Sequence, residues 1–316
     1  MKILMTGGAG YIGSVLCEKL LQDGNRVVVV DNLMYKQKSL NHLTHYPNFD
    51  VVVQDVRNVS GYRKHIETAD VLIPLAGLVG APICDRYPKD AESVNFLAVR
   101  DLFHAKSKDQ ILIYPNTNSG YGTTDPEKPC TEDTPLKPIS IYGKTKCATE
   151  KEIRGHSNVV VLRLATVFGA SPMMRLDLLV NNFVYKAFTD HCLVLFEKDF
   201  VRNYVYVRDV ADCFMYCMKN IGLVGIGGVY NLGNDKENMS KEQLALKIKK
   251  HLPDTQILET PSLSDPDKRN YQVSSQKLKA YGFSADTTLD DAIPELIKMY
   301  TLMGASTIYP ETSGYY

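Results

Sequence analysis

The chain has no surplus of charge of either sign: in 316 residues, Lys plus Arg and Asp plus Glu number 36 each. That balance removes the global field that would draw a protein to nucleic acid or an anionic membrane, and neither partner is expected. Local cations can still grip a small anion. No apolar run approaches the ~18 residues that a membrane-spanning helix needs. There is no CxxC pair; the seven cysteines are scattered. Cys213 and Cys217, four apart on an expected helix among Met and aromatic neighbours, read as core residues, and no metal site is expected. An odd, dispersed set of cysteines fits a reducing, cytoplasmic setting. The opening "MKILMTGGAG" lacks the apolar region and cleavage site of a secretory leader, so none is expected. Repeats, low-complexity tracts and long linkers are also missing. With 44% hydrophobic and 23% charged residues, the composition is that of a soluble globular protein. Its length suits two domains, or one large domain with a lobe inserted.

What is present is alternation. "KILMT" reads as a buried strand, after which Ile12, Val15, Leu16 and Leu20 recur at helical spacing until "DGN". "RVVVVD", "FDVVVQD" and "ADVLIPLAG" follow as strands. The segment 90–106 reads as a helix with Val94, Leu97, Ala98, Leu102 and Ala105 on one face, and "QILIYP" and "NVVVLRLATVFG" supply two more strands. β-Branched runs without polar alternation predict strands buried on both faces, hence an α/β fold with a doubly wound parallel sheet of Rossmann type. After about residue 170 the alternation weakens. "SPMMRLDLLVNNFVYKAF" should be helical in part, "RNYVYVRDVADCFMYCMKN" a strand leading into a helix, and "GGVYNLGN" a strand. "SKEQLALKIKKHL" should be a helix capped by its serine. These readings give a Rossmann domain over 1–168, with about 203–230 returning to it. A smaller α+β substrate lobe is woven from 169–202 and 231–316. The tail "TLMGASTIYPETSGYY" shows no periodicity and is assigned nothing.

Two patterns carry chemistry. In "MTGGAGYIGS", Gly7, Gly10 and Gly13 lie between a strand and a helix. Glycine there allows a tight turn, close approach of the backbone to a pyrophosphate, and close packing of helix on strand. The helix N-terminus, with Tyr11 and Ile12, adds unpaired N–H groups and partial positive charge. Asp31 closes the second strand 18 residues after Gly13, where a carboxylate can accept both hydroxyls of an adenosine ribose. A carboxylate there repels a 2′-phosphate, so NAD is expected rather than NADP. Asn32 beside it, Asp55 near an adenine amino group, Val56, and the backbone of Leu75, Ala76 and Gly77 complete the expected cofactor cleft.

The second pattern is Tyr142 and Lys146 in "IYGKTK", four apart and on one helical face. A free phenol, with a pKa of about 10, is too weakly acidic to serve as a base at neutral pH. A nearby ammonium and a positive nicotinamide ring would stabilise the phenolate.

The segments "TGGAGYIGS", "DNL", "QDVRN", "NTNSGYG", "YGKTK", "RLATVFG", "RNYVYVRDVAD" and "DPDKRNY…TTLDDAI" occur in this order over nearly all of residues 1–300. In sequence and spacing they resemble the extended short-chain dehydrogenase/reductase family, the NAD-dependent nucleotide-sugar epimerases and dehydratases. The resemblance implies oxidation of a sugar at C4, with the sugar nucleotide held by the C-terminal lobe. It implies that Thr117, four residues before Tyr121, hydrogen-bonds the oxygen being oxidised. It further implies that Asn95 helps hold the active-site strands and lines the cofactor site, and that Arg202 and Arg269 clamp the diphosphate, a pairing suited to guanidinium groups. "IPLAGLVGAP", "YPNTNSGYG" and "RLATVFGASPMMRLDLLVNNF" resemble most the branch that oxidises C4 of GDP-linked manno-heptose in bacterial polysaccharide synthesis. In that reading Arg175, Asp177 and Asn181 face the nucleotide and sugar. Members of the family commonly pair their helices across a two-fold axis, and Phe96 and Phe103 would suit such a homodimer or a higher oligomer built on it.

The family's 4,6-dehydratases carry an Asp-Glu pair directly after the threonine; here those positions are Asn118 and Ser119. Neither can pass a proton to a leaving hydroxyl at a useful rate. These residues are therefore expected to orient a sugar without eliminating water. Asp85 in "APICDRYP" is the acid that would most threaten this reading. The outcomes left open are release of a 4-keto sugar and return of the hydride to the other face, which would give a 4-epimer.

Overall fold

The computed structural model describes residues 1–125, 127–225, 228–260 and 269–304. Its strands are β1 (Lys2–Thr6), β2 (Arg26–Asp31), β3 (Phe49–Val53), β4 (Val71–Pro74), β5 (Ile111–Thr117) and β6 (Val159–Leu164). They continue as β7 (Thr166–Phe168), β8 (Cys192–Leu195), β9 (Val201–Tyr206), β10 (Gly228–Leu232), β11 (Asn238–Ser240) and β12 (Gln256–Glu259). Seven form one sheet in the order β3-β2-β1-β4-β5-β6-β10, and each neighbouring pair is parallel. The doubly wound Rossmann sheet expected from the alternation is therefore present.

Successive side chains of a strand point to opposite faces, and β1 shows what that does to the core. Ile3 and Met5 enter one apolar cluster beneath the Tyr11–Gln22 and Val207–Lys219 helices. Leu4 enters another with Tyr62, Ile66, Val99 and Leu102. Both faces are dry, which is why these strands carry no polar alternation. The order of the sheet reverses between β1 and β4, and loops leaving their carboxyl ends diverge to open a crevice. A small pocket lies there, lined by Thr6, Val56, Pro74, Ala76 and Val94 among others.

Three expectations are corrected. β3 is a sheet edge rather than a strand buried on both faces, and Val51 and Val53 are 43% and 66% exposed. The run "NVVVLRLATVFG" is two strands: β6 ends at Leu164, and β7 departs into a small sheet with β9 and β11. Segment 90–106 carries a π-turn over Ser93–Leu97 between the helices Pro88–Glu92 and Ala98–Ala105. The wider turn shifts the buried stripe to Ala91, Asn95, Ala98, Val99 and Leu102, leaving Val94, Leu97 and Ala105 only half-buried.

Beyond β6 the chain builds the smaller elements. The "SPMMRLDLLVNNFVYKAF" stretch is helical over Leu179–Thr189 only. β8 and β12 form a two-stranded sheet. Ser240 caps the Lys241–His251 helix in a capping box with Gln243. Of "DPDKRNY", Arg269–Tyr271 falls within the described residues and 265–268 outside them; the unassigned tail from 305 also lies outside.

Candidate active site

The glycine loop is shaped by close approach. Gly7 adopts φ +71, and a Cβ there would lie 2.4 Å from the backbone nitrogen of Ala76. A Cβ on Gly13 would lie 2.6 Å from Gly8 Cα. Gly10 caps the Tyr11–Gln22 helix and no side chain bonds its terminus, so a cradle of backbone N–H groups faces the crevice. Beside it, Asp31 Oδ2 accepts from Ala9 N at 3.0 Å and Oδ1 from Leu33 N at 2.9 Å. Burial raises the Asp31 pKa, and the two N–H groups oppose that shift. Asn32 is exposed, and its Oδ1 accepts from Met34 N at 3.2 Å. The Asp55 carboxylate is engaged by Arg57, with Nη2 to Oδ2 at 2.6 Å and Nε to Oδ1 at 3.0 Å, which holds its pKa down. Arg57 also reaches Asp90 at 2.9 Å. Leu75 N donates to Thr6 O at 2.9 Å, which fixes the exit of β4.

Some predicted contacts are spent inside the fold. Asn95, placed by the π-turn, is 1% exposed. Its Oδ1 accepts from Leu78 N at 2.8 Å, and its Nδ2 donates to Leu78 O at 2.9 Å. Asn95 thus brackets the loop after β4 instead of facing a cofactor. Tyr11 donates to Gly169 O at 2.7 Å and receives from Asn181 Nδ2 at 3.2 Å. Asn181 is fully buried; its Oδ1 accepts from Gly169 N and its Nδ2 also donates to Arg175 O, each at 3.0 Å. It is a knot between the glycine-loop helix and the chain beyond β7, so its expected substrate contact is corrected. Asn118, 1% exposed, uses its amide on Arg163 O at 3.0 Å and Ala165 N at 3.3 Å. It pins β5 to the end of β6 and presents nothing to a sugar, a second correction. Ile12 and Val56 are half-buried, and Val56 O accepts from Tyr62 OH at 2.9 Å.

Ser140 caps the Ile141–Ile153 helix, its Oγ accepting from Gly143 N at 3.1 Å. That cap places Tyr142 in the first turn and Lys146 one turn later. Tyr142 packs against the cluster of Leu78, Cys84 and Ala91, as Ile83 and Val94 also do. Burial pushes its phenol up to about 12, against the pull of Arg175, then Arg269, then a hydrogen bond to Thr117. Lys146 Nζ lies 4.2 Å from the centroid of the Tyr114 ring, and burial lowers its pKa to about 7. Thr117 Oγ1 donates to Ser119 Oγ at 2.8 Å and accepts from Ser119 N at 3.1 Å. Asp85 is exposed on the helix Ala81–Arg86.

Arg175 pairs with Asp177 through Nε to Oδ1 at 3.0 Å and a second bond from Nη2 to Oδ2, and Nη2 also reaches Val79 O at 3.3 Å. Arg202, on β9, is 4% exposed and lies 5.6 Å from the Tyr271 ring centroid. Arg269 comes from the neighbouring segment, where Tyr271 N donates to Val201 O at 3.3 Å. Thr117, Arg175 and Arg269 all act on Tyr142, Asp177 pairs with Arg175, and Arg202 lies against the ring of Tyr271, two residues after Arg269.

Sequence reasoning missed a buried network behind this point. Glu150, four residues after Lys146, receives Arg163 Nη2 at 2.6 Å and Nε at 3.0 Å, and Asn116 Nδ2 at 2.5 Å. Arg163 Nη1 donates to Tyr121 OH at 2.9 Å, and that hydroxyl donates to Asn231 Oδ1 at 2.6 Å. The available signal was an arginine inside the apolar run "VVVLRLATV", which demands a buried partner.

A parallel sheet with a bare glycine turn at its switch point and a carboxylate closing the second strand defines a Rossmann dinucleotide-binding protein. The family model "NAD dependent epimerase/dehydratase family" matches residues 3–233, and the chain belongs to that family. UDP-glucuronic acid decarboxylase 1 of Danio rerio is 27% identical over 316 residues, 95% of this chain and 72% of that protein. UDP-glucose 4-epimerase of Lactobacillus helveticus is 29% identical over 257 residues, 74% of this chain and 76% of that protein. The structure of UDP-glucuronic acid 4-epimerase from Bacillus cereus, solved with UDP-glucuronic acid and NAD, matches with TM-score 0.83. It is 25% identical and covers 96% of this chain and 100% of that one. The cofactor is NAD, and the open cradle and Asp31 fit it. Among the described residues no helix is long and apolar enough to cross a membrane.

Proposed function

We propose that the protein oxidises C4 of a nucleotide-linked sugar to a 4-keto sugar, with Tyr142 taking the hydroxyl proton. The observation that carries this reading is a buried phenol, beside Thr117, in the field of two arginines. Thr117 would align the hydroxyl through Oγ1, and Ser119 holds Thr117 in place. NAD supplies the acceptor for the C4 hydride. Gly7, Gly10, Gly13, Asp31, Asp55 and the turn Leu75–Gly77 would hold it, with Lys146 beside the reacting end. Arg202 and Arg269 would take the diphosphate. Arg175 and Asp177 pair with one another, so the sugar they face need carry no charge. The likeness of "RLATVFGASPMMRLDLLVNNF" to the manno-heptose branch favours a GDP-sugar. The proposed setting is cytoplasmic, where seven free cysteines stay reduced.

Return of the hydride to the opposite face, giving a 4-epimer, is the second reading, and the similarity to the two 4-epimerases favours it. Elimination of water has little support, because Asn118 is tied to backbone and Asp85 is exposed. The test incubates enzyme and NAD with GDP-, UDP- and dTDP-sugars and identifies products by mass spectrometry and NMR. A 4-keto sugar of unchanged carbon skeleton supports oxidation, and a C4 epimer at the rate of turnover replaces it with the second reading. A product lighter by one water at that rate overturns both.

A further inference from the structure

We propose that Tyr121 is a positioning residue: its buried hydroxyl fixes the segment that carries Arg269 against the turn that carries Thr117 and Ser119. This rests on the reading of Thr117 as the sugar contact and of Arg202 and Arg269 as the diphosphate clamp. The geometry begins in the sheet. Asn116, Arg163 and Asn231 stand opposite one another on β5, β6 and β10, one residue before the level of Thr117. All three are at most 2% exposed. A polar row inside a dry parallel sheet is costly unless every member finds partners. Here Glu150 takes Asn116 and Arg163, and Arg163 Nη1 donates onward to the Tyr121 hydroxyl at 2.9 Å. That hydroxyl shares its proton between Asn231 Oδ1 at 2.6 Å and Thr131 O at 3.0 Å. Burial holds the phenol above its ordinary pKa, so the proton stays in place.

Beyond the hydroxyl lies the segment that follows Arg269. Asn231 Nδ2 donates to Ser274 O at 3.0 Å and to Cys130 O at 3.3 Å. Cys130 N donates to Gln272 O, and Ser274 N to Cys130 O, each at 2.9 Å. The stretch 272–274 is therefore seated on Cys130 and Asn231. The Tyr121 ring adds a second hold, meeting that of Tyr271 edge-on at 6.4 Å in a small cluster with Cys130 and Val273. Arg202 lies 5.6 Å from the centroid of the same Tyr271 ring. At its own end, Tyr121 closes the 3₁₀ turn Asn118–Tyr121, whose cap is the Thr117 side chain accepting from Ser119 N at 3.1 Å. One residue thus joins the hydroxyl that would align the sugar to the segment that would hold the diphosphate. Through Arg163 and Glu150 it also reaches the helix of Tyr142. Two anchors on one substrate must keep their spacing, because a misplacement of about 1 Å can cost about a hundredfold in rate.

Tyr121→Phe keeps the ring in its cluster and removes only the hydroxyl. Asn231→Ala, a second variant, removes the acceptor and the two bonds to Ser274 and Cys130. Both are studied as full-length, NAD-loaded protein, with urea unfolding to show that they fold. Amide hydrogen exchange reads the segment itself, whatever the protein catalyses. Exchange at Cys130, Tyr271 and Ser274 should quicken by about tenfold or more, while β1 and β2 stay protected. Calorimetry with GDP, UDP and dTDP reads the clamp alone, and its affinity should match wild type. With the sugar nucleotide that wild type turns over, kcat should fall about tenfold or more, because the anchors no longer keep their spacing. Unchanged exchange at these amides in both variants would overturn the proposal. So would quickened exchange with wild-type kcat. Exchange quickened throughout the sheet, with NAD affinity, diphosphate affinity and kcat falling together, would reduce the network to holding the fold and also overturn it. If wild type binds none of the three diphosphates, the clamp reading fails; local quickening of the segment would then still support Tyr121 as the residue that fixes it.

Discussion

A phenol pushed up to about 12 is ionised at pH 7 in only about one molecule in 10⁵. Tyr142 therefore depends on what surrounds it when substrate and NAD are in place, and each neighbour has a separable part. Removing only the hydroxyl tests the assignment at its root. Tyr142→Phe should retain binding of NAD and sugar nucleotide, measured by calorimetry, and lose at least about a hundredfold in kcat, the low end for removing a general base. Turnover near wild type would show that another group takes the proton. Thr117 is subtler, because its hydroxyl is shared with Ser119 at 2.8 Å. Thr117→Ser preserves both bonds and should keep most activity, whereas Thr117→Val should lower kcat about tenfold or more, the order of one lost hydrogen bond made in the transition state. Equal rates for Thr117→Val and wild type would remove Thr117 from the site.

At the scale of elements, the Ile141–Ile153 helix carries Tyr142 and Lys146 near its start and Glu150 near its end. Glu150 and Arg163, 1% and 3% exposed at their side chains, lock that helix to β5 and β6. Glu150→Gln keeps the shape but leaves the Arg163 charge unpaired. Breaking a buried pair in this way costs about 3–5 kcal/mol, which urea unfolding would read directly. A change below about 1 kcal/mol would mean that water reaches the site. The π-turn over Ser93–Leu97 works at the same scale. It is the local distortion that points Asn95 at Leu78, and no periodicity in "AESVNFLAVR" announces it.

For the whole molecule we propose a homodimer, or a higher oligomer built on it, with the Ala98–Ala105 and Ile141–Ile153 helices as the dimer contact. Phe96 and Phe103 are half-buried in the single chain, although Phe103 already meets His156 at a ring distance of 5.0 Å. Light scattering at micromolar concentration should give at least twice the chain mass of 35.4 kDa. A monomer would reject the proposal.

The sequence by itself determined the parallel sheet, the glycine turn, Asp31 at the end of β2, and the Tyr142–Lys146 pair. Each of these is written in neighbours a few residues apart, as runs of β-branched residues, as the glycine spacing, or as positions one helical turn apart. Only the tertiary structure decided what those residues touch. Asn181 and Asn118 read as polar candidates for a sugar, yet both are consumed by backbone groups that had to be satisfied once buried. Lys146 stands one turn from Tyr142, yet Arg175, 33 positions further along the chain, also acts on that phenol. Strand β3 reads as core because its valines resemble those of β2, but the chain placed it last, at the edge, with no neighbour to cover it. Local pattern fixes the kind of element. Which side chains are desolvated together depends on how distant segments fold back, and desolvation sets the charges of this site.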